Sequence, residues 1–181
     1  MLWCLLATCV SQPAAVVELP GVLVFSRTAG YRHDSIEAGQ QFLRAIGEGR
    51  WRVECTEDPN VFSDEGLSGY DVVVLLQTTG DVLNDAQEDA FERYLRSGGG
   101  GVGIHGAADG ERDWAFFGSG VLGGAWFKSH PAIQNATVVV EDSHHPSTTH
   151  LSEKWPRVDE WYNYVQSPRD SVHVLASLDE S

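Results

Sequence analysis

Gly101-Val-Gly-Ile-His-Gly-Ala107 is the stretch on which the fold turns. Small and apolar residues run up to a single histidine, and small residues follow it. A strand ending in G-x-X-x-G/A places X on the sharp strand-to-helix turn of a nucleophile elbow, where the crowded backbone tolerates only small neighbours. Here X is His105, with Gly103 and Ala107 on either side. The same stretch spells G-x-G-x-x-G from Gly101 to Gly106. A dinucleotide fingerprint, however, needs those glycines after a strand and opening a helix. These follow a helical pattern and contain the strand itself, which rules the nucleotide reading out. In amidotransferases and hydrolases the elbow residue is Cys or Ser, activated by a nearby His. Neither position adjacent to His105 is Ser or Cys. An imidazole there can act as a base, a metal ligand or a hydrogen-bonding partner, but it is a poor stable acyl acceptor. That argues against amidotransfer.

Outward from the elbow, β-branched runs alternate with amphipathic stretches. Val72-Val-Val-Leu-Leu76 is apolar on both faces, as a central parallel strand must be. Gly21–Phe25 and Trp51–Cys55 read as further strands, as do Ala136–Glu141 and Val172–Leu178. Asp34 and Glu37 form a capping-box pair ahead of a helical face of Ile36, Gly39, Leu43 and Ile46. Asn84 and Gln87 open a second helix, with Ala90, Phe91, Tyr94 and Leu95 inward, and Gly98–Gly101 stops it. The expectation is an α/β domain with a mostly parallel sheet covered by helices on both faces, and His105 at the end of a central strand.

Ligand sites in such sheets lie beyond the carboxyl ends of the strands. This rule selects the loops 26–34, 77–83, 105–114 and 142–149. Six of the seven histidines, at 33, 105, 130, 144, 145 and 150, fall in those loops or in irregular segments near them. His173 lies within an expected strand, where a core or edge role fits better.

The composition narrows the partners. Twelve basic against 26 acidic residues give a formal charge of −14, with no Lys/Arg cluster, which excludes a general nucleic-acid role and an affinity for anionic membranes. Neutral or cationic small molecules and metals remain. Cys4, Cys9 and Cys55 form no C-x-x-C pair, so neither a zinc knuckle nor a dithiol motif is present. Residues 1–20 read as a leader: Leu2–Val10 is apolar and Ser11–Ala15 resembles a cleavage region. The lack of Lys or Arg before it leaves export and a cytoplasmic protein with a flexible leader both open. The apolar run is too short to span a membrane.

Several motifs together carry a family resemblance: Phe25-Ser-Arg-Thr-Ala-Gly-Tyr-Arg-His33-Asp-Ser35, Thr78-Thr-Gly-Asp81-Val-Leu-Asn84, Gly103-Ile-His105 with Ala107-Ala-Asp109, Phe127-Lys-Ser-His130-Pro131, His145-Pro-Ser-Thr148 and Asp159-Glu-Trp-Tyr-Asn163. Over residues 21–180, in register, the chain resembles ThuA-like domains. The resemblance implies the flavodoxin-like, class I glutamine amidotransferase-like three-layer sandwich, a link to trehalose utilisation, and frequent export or fusion to other domains. It also implies further chain beyond Ser181, with another His-Pro pair and a closing Gly-His segment. The strand expected at Val172–Leu178 has no covering helix after it, which points the same way. Family members commonly carry Ser after the elbow histidine, where this chain has Gly106.

The expected catalytic residues are His105, Asp109, His33 and Glu160, with Asp109 close enough in sequence to orient His105. Arg32, Lys128, His130, His145, Trp161 and Tyr162 are the expected substrate contacts. His130 and His145 each precede a proline, which favours extended backbone and a fixed side-chain direction. Glu160-Trp-Tyr162 joins a carboxylate to aromatic faces suited to a sugar ring, although Trp161 in a core and Glu160 in a salt bridge account for it equally. A His/Asp/Glu set of this kind can bind zinc or another divalent ion, but no H-E-x-x-H spacing marks one. Three functions follow: a keto-sugar isomerase or hydrolase using His and carboxylate as acid and base, a non-catalytic carbohydrate-binding module, and a metal-dependent hydrolase. A small-molecule carbohydrate is the expected ligand, and a fusion or oligomeric partner stays open.

Overall fold

A computed structural model describes residues 18–180. The reading of residues 1–17 as a leader, with Cys4 and Cys9, lies outside the described residues. The chain begins its regular structure with β1 (Gly21–Phe25), α1 (Ile36–Gly47), β2 (Arg52–Thr56), the short α2 (Asp64–Leu67), β3 (Val72–Leu76), α3 (Asp85–Arg96) and β4 (Gly100–Ile104). The four strands form one parallel sheet in the order β2-β1-β3-β4. That is the doubly wound order of flavodoxin-like folds, in which the crevice opens where the strand order reverses between β1 and β3.

The alternation inside each central strand divides the core into two layers. Leu23 and Phe25 of β1, with Val73 and Leu75 of β3, pack beneath Phe62, Phe91, Trp114 and Phe117. Val22 and Val24, with Val74 and Leu76, face the other way against Leu43 of α1 and Val53. Phe91 is 1 % exposed, and burying a side chain of that size stabilises by roughly 2–3 kcal/mol. Gly39 lets α1 lie flat on the sheet, because a Cβ there would sit 3.0 Å from Leu76 Cδ1. Helices on both faces of a parallel sheet give the expected three layers.

α3 begins as its sequence requires. Asn84 Oδ1 accepts from the Gln87 amide and Gln87 Oε1 accepts from the Asn84 amide, a complete capping box. The expected box on α1 is absent. That helix starts one residue later, with Ser35 as N-cap and no side-chain cap, because Glu37 is turned outward to Arg32.

β4 is an edge strand of the sheet, not a central one, and Val102 is 46 % exposed on it. The strands expected to extend the parallel sheet pair elsewhere. β5 (Phe127–Ser129) joins β8 (Asn163–Tyr164), and β6 (Gln134–Val140) lies between β7 (Lys154–Asp159) and β9 (Ala176–Asp179), all antiparallel. Only the last part of Val172–Leu178 is strand, since pairing with β6 begins at Ala176 opposite Val140. His173 therefore lies outside any strand, where its Nε2 is 2.8 Å from Asp142 Oδ2.

Candidate functional site

His105 sits directly after β4 with φ +49°, a left-handed conformation uncommon for a residue with a side chain. A 3₁₀ turn over His105–Asp109 follows at once. The strand-to-helix elbow read from the sequence is thus present, and its conformation presents the imidazole at the carboxyl end of the sheet. Gly106 leaves the turn tight: a Cβ there would stand 3.0 Å from Thr79 Cγ2 and 3.4 Å from Gln77 Cα and O. Gln77, directly after β3, also has positive φ (+55°) and exchanges hydrogen bonds with Ser35. The ends of β3 and β4 therefore turn sharply side by side.

Three separate connections deliver the groups around His105. The loop after β1 brings His33, whose ring stands edge-on to His105 at 4.6 Å between centroids. The β5–β8 ladder pairs Ser129 with Asn163, and so sets the next residue on one strand, His130, beside the preceding residue on the other, Tyr162. Their rings stack at 5.8 Å. The β6–β7 ladder pairs Gln134 with Asp159 at the end where Glu160 emerges, and the Trp161 indole N–H donates to the Gln134 carbonyl across it.

Glu160 and Tyr162 then converge on one nitrogen. His105 Nε2 is 3.2 Å from Glu160 Oε2 and 3.3 Å from the Tyr162 hydroxyl. The other carboxylate oxygen of Glu160 is 3.8 Å from His130 Nδ1. Glu160 and His105 side chains are each about one quarter exposed, open to a ligand yet partly shielded from water. Burial, followed by the charge of Glu160, pushes the Tyr162 phenol up to about 12, so it keeps its proton at neutral pH. Burial, with His105 next in weight, holds His33 below the usual imidazole range. Behind the elbow lies a cavity of about 220 Å³, bordered by His105, Ala108, Phe117, Leu122, Tyr162 and Tyr164.

Of the expected residues, His33, His105, His130, Glu160 and Tyr162 come together. The other expected residues have different nearest partners. Asp109 pairs with Arg112, three residues on in the chain, while its charge also acts on the Tyr162 phenol. Arg32 is exposed and pairs with Glu37 and Glu57. Lys128 is exposed on β5. Trp161 is committed to Gln134. His145 belongs to a separate group: Asp142 Oδ1 accepts its amide, and its ring lies 6.1 Å from that of His173. For a metal, the structure points away from the histidines. Among the described residues, three ligand atoms within 4.8 Å of one another occur at Asp81, Glu88 and Glu111.

Tyr31, Gln77 and Phe127 were not singled out in the sequence. Tyr31 packs on His33 at 4.9 Å and Phe127 on Tyr162 at 4.4 Å. Gln77 is the first polar residue after the apolar run of β3, and Tyr31 and Phe127 lie within two of the motifs that carry the resemblance, although neither is among the expected contacts.

Comparison with known proteins agrees with this architecture. The chain superposes on a ThuA-like protein of Bacteroides uniformis with a TM-score of 0.76 and 27% identity, covering 93% of this chain and 72% of that one. A ThuA-like protein of Parabacteroides merdae shares the fold, with a TM-score of 0.70 and 18% identity, covering 89% of this chain and 68% of that one. No curated protein matches the sequence. The family model described as ThuA, trehalose utilisation, matches residues 21–181, and this chain belongs to the ThuA family.

Proposed function

We propose that the chain processes a keto-sugar or keto-glycoside by proton abstraction beside the carbonyl, with His105 as the base. The observation that carries this reading is the double contact at His105 Nε2, where a carboxylate and a protonated phenol meet one imidazole. With the Nε2 proton directed to Glu160, the lone pair lies on Nδ1, free to take a proton from carbon. Glu160 then stabilises the imidazolium that forms. The electron pair released by the C–H bond moves onto the carbonyl oxygen. Tyr162, which holds its proton to about pH 12, donates a hydrogen bond to that oxygen. Movement of the α-hydroxyl proton to that oxygen, and return of the abstracted proton to the former carbonyl carbon, complete an isomerisation. In a hydrolysis the enolate expels the glycosidic oxygen at the β position, which leaves with the proton held by the His105 imidazolium. Water then adds across the double bond, its hydroxyl to the β carbon and its proton to the α carbon. The sugar comes from the family's link to trehalose utilisation, and the acid–base chemistry from the side chains.

The test is turnover of a panel of keto-disaccharides by the protein and by its His105→Ala variant. Turnover that disappears in the variant, with the melting temperature held, supports the reading. Saturable sugar binding without turnover would replace it with the carbohydrate-binding module.

A further inference from the structure

We propose that Asp81, Glu88 and Glu111 form a binding site for a hard divalent cation of calcium type, clamping together the two loops that hold the elbow. The three come from different places: Asp81 from the loop after β3, Glu88 from the first turns of α3, and Glu111 from the loop after the elbow. Each offers a carboxylate oxygen, and the three oxygens lie within 4.8 Å of one another. Calcium binds oxygens at about 2.3–2.6 Å, so oxygens on opposite sides of one ion stand roughly 4.6–5.2 Å apart and adjacent ones closer. The cluster fits around a single ion.

Glu111 supplies the independent observation. The residue is 4 % exposed, and its Oε1 accepts the amides of Val82 and Leu83 at 3.0 and 3.3 Å. Its Oε2 is buried and accepts from no amide, hydroxyl or cationic group; the neighbours of this carboxyl are the carboxyls of Asp81 and Glu88. Without an ion, burial and the neighbouring Asp81 and Glu88 push Glu111 up to about 8, so a proton holds the place between these carboxyls that a cation fits. None of the three forms a salt bridge among the described residues, while Asp85 and Asp89 add negative charge around Glu88. An all-carboxylate donor set selects calcium, magnesium or manganese over zinc or copper. Asp81 is exposed, which leaves one side open for water to complete a coordination shell of six to eight, as calcium takes.

Position gives the ion a role. The Gly80 amide donates to the Asp109 carbonyl and the Glu111 amide to the Gly80 carbonyl, a short bridge between the two loops. Glu111 φ is +46°, so the chain bends into this position against its preference. A cation across Asp81, Glu88 and Glu111 would fasten the same loops a second time, within a few residues of His105. This site stands apart from the sugar chemistry, and its test does not depend on turnover.

Calcium chloride should raise the melting temperature of the intact protein by about 3–6 °C at ten times Kd, reversibly with a chelator. Kd should be about 0.1–1 mM, the range of weak extracellular calcium modules. Magnesium and manganese chlorides are run alongside, with potassium chloride at matched ionic strength. Amide exchange at Val82 and Leu83 should slow when the ion is bound. The Asp81→Asn and Glu88→Gln variants change side chains outside the core, so they stay folded, and each should weaken the effect at least tenfold. A divalent effect of equal size in the Asp81→Asn/Glu88→Gln double variant would mean general screening of the acidic surface and would overturn the proposal. So would the absence of any melting shift up to 10 mM of all three salts.

Discussion

Glu160 Oε2 lies 3.2 Å from His105 Nε2, although the two residues come from different sheets. The elbow after β4 fixes one partner and the end of β7 fixes the other. A carboxylate placed there selects the Nε2–H tautomer and stabilises the imidazolium. Glu160→Gln keeps the shape but removes the charge. It should lower kcat on a keto-sugar substrate by about 10²–10⁴-fold, with little change in KM. Steady-state kinetics check this; a variant that loses only substrate affinity would make Glu160 a binding residue.

Tyr162 should act through its proton. Tyr162→Phe leaves the stacking on His130 and Phe127 in place and removes only the hydroxyl. Loss of one donor to a developing oxyanion costs about 10²–10³-fold in kcat. The expected result is a drop of that order with the melting temperature within about 1 °C of the parent. If turnover were unaffected, the hydroxyl would have no part in the chemistry.

His33 gives a pH signature. Burial first, and the neighbouring His105 second, disfavour its charged form, so its folded pKa is depressed below 6.5. The stabilisation this group contributes is therefore complete above pH 6.5. It is lost as pH falls below 6.5 towards the folded pKa, because the unfolded chain takes up the proton first. An NMR titration of the His33 ring should give a midpoint below 6.5. The midpoint should move upward in His105→Ala, where the second cause is gone. A midpoint at or above 6.5 in the parent would contradict the burial of this ring.

The parallel half of the fold was legible in the sequence because each element carries its own signal. Val72–Leu76 is apolar on both faces, Asn84 and Gln87 cap α3, and Gly103–Ala107 can make an elbow only with small neighbours. The antiparallel half was legible only in part: Ala136–Glu141 overlaps β6 and the end of Val172–Leu178 overlaps β9, but their antiparallel pairing and β7 were not. β7 contains Pro156, reads as neither an alternating nor an apolar run, and is exposed at every residue but Asp159, so nothing local marks it as a strand. Its place is set by pairing with β6, a long-range relation invisible to periodicity. The candidate site divides along the same line. His105 and His33 follow from strand ends, as the rule for α/β sheets requires. The Asp109–Arg112 pair was not legible, because spacing along a tight turn does not say which neighbour a side chain meets.

Gly106 tests the elbow's geometry by itself. Its missing Cβ would meet Thr79 Cγ2 at 3.0 Å and the Gln77 backbone at 3.4 Å. The backbone has little room to retreat, since the Gln77 amide donates to the Ile104 carbonyl at 3.1 Å and ties β3 to β4 at this level. Gly106→Ala adds one methyl against a neighbour that can rotate, and it reduces the freedom of the unfolded chain by about 0.4–1 kcal/mol. The two effects should nearly cancel. Gly106→Val adds two further carbons facing backbone that cannot rotate away, and overpacking of this kind costs about 1–3 kcal/mol. For a chain of this size that lowers the melting temperature by about 2–4 °C per kcal/mol. Displacing the elbow also moves His105 relative to Glu160, so turnover should fall more steeply in Val than in Ala. Thermal melts and kinetics of the two variants, side by side, check this. Equal stability and activity in both would show that the turn after His105 is loosely packed and that Gly106 is not required by it.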